Sequence, residues 1–185
     1  EENGLVTNGM SNFSRNAPWS NSALVTSIIA GKDFNGLLGG VEFQKKIEQT
    51  AYNYSKEFAS GKELPAQTIK DFLQGKKSTK LHKSSCPSGL VPINLESILP
   101  KFIIEHLKSS LENFERKMPG FISGPGLLIA PETRTSSPVI ITRDKLTLES
   151  TSIKGLFPCG EGAGHAGGIT SAAVDGVKVA MQLIE

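Results

Sequence analysis

The sequence has 185 residues, of which 38% are hydrophobic and 21% are charged, so the chain can bury a core and should be globular. Its net charge of +2 implies no general attraction to nucleic acid or to acidic membranes, and no run approaches the roughly 18 apolar residues that span a bilayer. Cys86 and Cys159 are too few for a disulfide framework or a metal cluster, which favours two free thiols in a reducing compartment.

The start of the chain gives two further expectations. Glu1 stands where an initiating Met would be, so we expect a processed product or a piece of a longer protein. No charged-then-apolar leader is visible, and we expect a cytoplasmic protein.

The first half of the chain contains one strand pattern and two helix patterns. Residues 22–29 are rich in β-branched and apolar side chains, which is typical of a strand. Apolar residues recur every three or four positions over 41–60 and predict a helix that Gly61 ends. Residues 65–73 suggest a short helix with proline in its first turn. The lysine-rich run at 75–90 lacks aromatic residues for base stacking, which favours a mobile, solvated loop over a nucleic-acid surface.

The second half returns to strands after another helix. The same spacing predicts a helix over residues 100–118, and strand signals follow at 127–130, 138–142 and 155–159. A closing helix is predicted over 169–184, with an apolar face made of Ala173, Val177, Ala180 and Ile184. This order predicts an α+β fold: a mixed β-sheet with a helical insertion, followed by a strand, a glycine loop and a helix.

The glycine loop contains the pattern G-x-G-x-x-G at Gly162, Gly164 and Gly167. A complete dinucleotide unit also needs a second parallel strand with an acidic residue, and the sequence ends within the closing helix before one appears. Glycines nevertheless let the backbone approach a ligand, and a helix start offers unpaired amides and a positive dipole end. The alternative is a tight turn packed against another element. Seven glycines within residues 155–176 favour ligand approach.

Four motifs together resemble a known family. They are PCGEGAGHAGGITSAAVDG at residues 158–176, ETRTSSPV at 132–139, GLVTNGMS at 4–11 followed by NSALV at 21–25, and the weaker GVEFQ at 40–44. In this order they resemble the C-terminal portion of FAD-dependent dehydrogenases akin to the HI0933-like flavoproteins, within the two-dinucleotide-binding-domain superfamily.

The resemblance implies a division of the chain and a cofactor. Residues 1–40 and 121–150 would form a substrate-side β region, 41–120 a helical insertion, and 151–185 the C-terminal part of an FAD-binding domain. The pyrophosphate-binding part would lie in a missing N-terminal portion of the same protein, which is the implied partner, so we expect the isolated fragment not to retain FAD.

Within the glycine loop, the resemblance implies that Glu161 binds FAD hydroxyls. It also implies that the amides of Gly167, Gly168 and Ile169 lie near the flavin ring. The full set of implied cofactor-binding residues is Gly160, Glu161, Gly162, Ala163, Gly164, Ala166, Gly167, Gly168 and Ile169. A helix start facing the flavin would stabilise the negative charge that arises on reduction.

Candidates for contact with a small-molecule substrate lie in the second motif. Arg134 can hold an anionic group by two hydrogen bonds, with Thr135, Ser136 and Ser137 as further donors; alternatively, Glu132 pairs with Arg134 and residues 136–138 form a turn. His165 is a candidate acid or base, because histidine as a residue type changes charge near neutral pH, although the family usually has tyrosine there. The catalytic residues are not identified by the sequence; Arg134 and His165 are the candidates, and no metal site is indicated.

Two functions remain open from the sequence. The first is a fragment of an FAD-dependent oxidoreductase that is active only as the full-length protein. The second is a non-enzymatic binding or scaffold module that uses the helical block and the glycine loop.

Overall fold

A computed structural model of the protein describes residues 2–184 and has an α+β fold, which confirms the predicted fold class. In chain order its elements are α1 (Gly39–Phe58), β1 (Leu64–Thr68), α2 (Ile69–Leu73), β2 (Leu90–Pro92), a 3-10 helix (Leu95–Ser97), α3 (Lys101–Lys117), β3 (Leu127–Ile129) and α4 (Ile169–Gln182). No helix formed by these described residues has both the length and the apolar character needed to cross a membrane.

The chain divides into two compact units. The first consists of Glu1–Ile28 and Lys45–Thr133, and the second of Ile29–Gln44 and Arg134–Glu185. The first unit contains the β-sheet and its core, and the second contains the glycine loop and α4. The three-part division expected from the family resemblance stays a prediction.

A three-stranded mixed sheet lies in the first unit, in the order β2-β1-β3. Strand β1 is the centre, parallel to β2 and antiparallel to β3, and all five of its residues are buried. The prediction of a single helix over residues 65–73 is therefore wrong in its first half, and only α2 is helical. Pro65 is tolerated in a central strand because its missing N–H lies opposite Ala130, which follows the last residue of β3.

The core of the first unit is built from the predicted helix faces and the sheet. Ala51 of α1, Phe72 of α2 and Leu111 of α3 are each fully buried, and they pack with apolar residues that surround β2. The polar side chain of Gln67 is also fully buried, where it donates to Lys76 O (2.6 Å) and accepts from Leu95 N (2.9 Å). Burial of this amide is tolerated because both ends of it are hydrogen-bonded.

Three predicted strands do not pair into ladders. Residues 22–29 form no regular secondary structure and join no strand among residues 2–184. Residues 138–142 are also not a strand, because the Ile141 amide donates to Ala163 O of the glycine loop (3.1 Å) instead of to a neighbouring strand. Residues 155–159 contact a preceding turn, where Leu156 O accepts from Ser150 N (2.7 Å). A strand propensity becomes a strand only where a partner is available.

Helix α4 forms as predicted, but its predicted apolar face is not buried. Val177 is 58% exposed and Ile184 is 86% exposed, whereas Val179 is buried. The face that packs within the chain carries Ala172, Asp175 and Val179, roughly a third of a turn away from the predicted one. Spacing correctly located an apolar stripe, but within the described chain nothing covers it.

Candidate functional site

The glycine loop, residues 158–168, leads directly into the start of α4. Gly160 and Gly164 have φ values of +71° and +80°, which glycine adopts without steric cost. Between them, Gly164 N donates to Glu161 O (2.9 Å) and His165 N donates to Gly160 O (3.0 Å). The loop therefore folds back on itself as a tight turn, with the Glu161 side chain exposed at its outside.

One side of the loop is packed against residues 139–141. A Cβ added to Gly164 would lie 2.4 Å from Val139 O, so no other residue fits there without movement of the backbone. On the same side, His165 Nε2 lies 2.9 Å from Ile141 O. A carbonyl oxygen only accepts hydrogen bonds, so Nε2 is the donor and the imidazole supports the loop. This contact favours a structural use of His165, and its predicted acid or base role stays a prediction.

Two other glycines of the loop are not required by its conformation. Gly162 and Gly167 do not have positive φ values, and both are exposed. A Cβ on Gly162 would meet nothing within 4 Å, and one on Gly167 would only touch Ser136 Oγ at 4.0 Å. The backbone at these two positions is therefore not covered by other atoms of the described chain. An alanine would fit sterically at either position, so neither position requires glycine for packing within the described chain, and both leave room for close approach of a ligand.

The start of α4 lies directly after these glycines. Gly168 N donates to Ser171 Oγ (3.1 Å), and the Ser171 hydroxyl donates to Gly168 O (3.0 Å), which closes the first turn. The next residue, Ile169, is 92% exposed. The positive end of the helix dipole and the first-turn amides thus lie at the surface beside Gly167, an arrangement suited to an electron-rich group.

The structure brings part of the predicted substrate segment to the loop. Ser137 Oγ lies 2.9 Å from Val139 O and 3.3 Å from Gly162 O. Ser136 borders Gly167, as described above. Arg134 and Thr135 precede them on the exposed surface of the same unit. Two of the four motifs that carry the resemblance, residues 132–139 and 158–176, are therefore neighbours in space at Ser136 and Ser137.

A partly buried ion pair beneath the loop was missed by sequence reasoning. Arg143 and Asp175 are joined by two hydrogen bonds, Nη2 to Oδ1 (2.6 Å) and Nη1 to Oδ2 (3.0 Å). The Arg143 guanidinium and the amide of Gly160 hold the pKa of Asp175 down at about 2. The same hydrogen bond raises the pKa of Arg143. The available signal was Asp175 itself, an acidic residue at the i+3 position from Ala172 in a helix that is otherwise mostly apolar or small.

Glu161, Gly162, Gly167 and Ile169 are exposed and Gly168 is half-buried, and their backbone and carboxylate chemistry suits hydroxyl and carbonyl groups. Of the other predicted residues, Ala163 is buried and Gly164 packs closely against Val139 and Ile140. Gly160 shapes the turn, and Ala166 is half-buried within it. Among residues 2–184, no three His, Cys, Asp or Glu side chains are grouped to hold a metal ion.

Comparison with known proteins gives a family. A family model described as "FAD-dependent protein, C-terminal domain-like" matches residues 1–135, which ends before the glycine loop. A protein of Clostridium beijerinckii named "Uncharacterized protein" is 42% identical over 189 residues, covering 100% of this chain. The chain spans only 34% of that relative's length. Nearer kinship to the HI0933-like flavoproteins stays a prediction, but the chain belongs to the family of FAD-dependent proteins, as a C-terminal domain-like member.

Proposed function

We propose that this chain is the C-terminal portion of an FAD-dependent oxidoreductase of the dehydrogenase type, and that residues 160–169 contact the flavin side of the cofactor. The observation that carries the proposal is the uncovered backbone at Gly162 and Gly167. Neither the loop conformation nor packing requires glycine at these two positions. Its position directly before the exposed start of α4 adds hydrogen-bond donors and a positive dipole.

Different residues of the loop bind different parts of the cofactor. When bound, FAD supplies the redox chemistry, and the protein supplies binding, orientation and electrostatics. The exposed Glu161 carboxylate accepts hydrogen bonds from cofactor hydroxyls. The amides of Gly167 and Ile169 donate to the ring edge, and the α4 dipole stabilises negative charge that develops on reduction.

A small-molecule substrate would be held by the neighbouring motif. Ser136 and Ser137 lie against the loop, so a molecule placed there would also be near the cofactor. Arg134 supplies a planar guanidinium that suits an anionic group such as a carboxylate. We infer an anionic substrate on this chemistry, with Thr135 as a further donor.

The missing partner is the rest of the same polypeptide. Val174 and Met181 lie beside Val177 of the predicted apolar face of α4, and these three residues are 48–59% exposed. Exposed apolar stripes of this kind mark interaction surfaces. Since the chain spans 34% of its Clostridium relative, we propose that the N-terminal FAD-binding portion covers this stripe.

A test of the cofactor proposal uses the full-length protein with Gly162→Ala and, as the matched control, Gly124→Ala. Both glycines are exposed, lack a positive φ and have nothing within 4 Å of an added Cβ. We expect Gly162→Ala to fold normally but to bind FAD at least tenfold more weakly, because the methyl group occupies the approach path. Gly124→Ala should bind FAD as the wild type does. Glu161→Ala should also lose FAD, whereas Glu112→Ala on α3 should not.

Two outcomes would contradict the proposal. If the wild-type full-length protein, with its loop intact, never carries the visible absorption of a flavin, the cofactor assignment fails. If the isolated chain binds a protein partner through residues 41–120 while neither it nor the full-length protein binds FAD, the scaffold function replaces it.

A further inference from the structure

We propose that Arg143 and Asp175 are a positioning pair that holds the turn at residues 158–160 in the shape that flavin binding needs. This inference rests on the proposed function, because the pair lies behind the loop and is not among the residues expected to contact the cofactor. It adds two residues, from different parts of the sequence, to the site.

The hydrogen bonds of the pair reach the loop directly. Besides binding Asp175, Arg143 Nη1 donates to Pro158 O (2.7 Å). Asp175 Oδ2 in turn accepts from the amide of Gly160 (2.9 Å). One carbonyl and one amide of the turn are therefore held by a single charged pair, on either side of Cys159.

The pair is shielded from solvent. The side chains of Arg143 and Asp175 are each 13% exposed, and all the hydrogen bonds described are charge-assisted. Partly buried pairs of this kind are geometrically demanding, since removing one partner leaves the other charge poorly solvated. The pair therefore allows few alternative conformations of the turn.

The pair lies where it can set the direction of the Glu161 side chain. Gly160 has a φ of +71°, and Glu161 follows it directly. The direction in which the Glu161 carboxylate leaves the loop thus depends on the Gly160 peptide, which Asp175 holds. Asp175 lies in α4, whose start is itself part of the proposed site. The pair therefore couples the turn that carries Glu161 to the helix that carries the amides.

The test uses apo full-length protein reconstituted with FAD. Asp175→Asn removes the charge, and Arg143→Lys keeps the charge but lacks the planar fork that reaches both Pro158 and Asp175. We expect each variant to bind FAD at least tenfold more weakly. At saturating FAD, we also expect a shifted visible absorption spectrum and a changed flavin midpoint potential, which loss of stability alone would not produce. Asp144→Asn is the matched control: Asp144 is an exposed carboxylate of the same unit whose hydrogen bonds stay within its own turn.

The outcomes separate the inference from the proposed function. Wild-type protein that holds FAD, with variants of unchanged affinity, spectrum and potential, overturns the positioning role and leaves the proposed function standing. Wild-type protein that never holds FAD overturns the proposed function itself. If Asp175→Asn does not fold, Arg143→Lys decides by the same readouts. An effect of equal size in Asp144→Asn would also overturn the positioning role.

Discussion

Replacing Asp175 by Asn should lower the stability of the folded glycine loop strongly at neutral pH and only weakly in acid. The substitution keeps the size of the side chain but removes the charge that Arg143 and the Gly160 amide bind. The loss should be local, because the pair and all its partners lie within the second unit.

The magnitude follows from the pKa of Asp175. It falls from 3.8 to about 2 on folding, and each tenfold change in proton binding corresponds to about 1.4 kcal/mol. The charged form therefore stabilises the folded loop by about 2–3 kcal/mol. Because the folded pKa is the lower one, this stabilisation is fully present above about pH 5 and is lost as the pH falls towards 2.

Hydrogen exchange of the peptide covering residues 155–176 measures this stabilisation. Comparing the variant with the wild type at the same pH cancels the intrinsic exchange chemistry. We expect exchange to be faster in the variant by up to about sixtyfold at pH 6 and by about tenfold at pH 3. A peptide covering residues 64–73 of the first unit should be unchanged. Equal exchange rates at pH 6, or a ratio that grows in acid, would refute the reasoning.

Three further predictions concern stability of the full chain in denaturant unfolding. Gly164→Ala should cost about 2 kcal/mol or more, because φ is +80° and the added Cβ meets Val139 O; an unchanged midpoint would contradict the docked loop. Gln67→Ala should cost about 1–3 kcal/mol because it leaves the buried Leu95 amide without its acceptor, and a neutral effect would mean that another group replaces it. Ser55→Ala should be neutral or slightly stabilising, since the buried Ser55 hydroxyl has no hydrogen-bond partner within the described chain; a loss above about 1 kcal/mol would contradict this.

Local rules predicted the helices well. The three- and four-residue spacing located α1, α3 and α4 to within about two residues at each end, because such spacing reflects the helix's own geometry. Gly61 follows α1 with a φ of +87°, as expected of a residue beyond a helix end. These features depend on neighbours in the sequence and need no information about the rest of the fold.

The strands and the ion pair that supports the glycine loop were less predictable from the sequence. β1 was mistaken for a helix because Pro65 suits a first helical turn, whereas its actual state depends on β2 and β3, which are distant in sequence. The Arg143–Asp175 pair joins residues 32 positions apart, so no local sequence pattern predicts it.

The sequence by itself determined the α+β class, the helices, and the glycine-rich motif with Glu161 that marks the chain as similar to flavoproteins. Only the tertiary structure decided which glycines shape the loop and which leave its backbone bare, because that depends on the segment packed behind the loop. It also decided that α4 partly buries Asp175 and leaves its predicted apolar face exposed. An amphipathic pattern specifies where apolar residues lie on a helix, but the partner that covers them is set by packing over the whole protein.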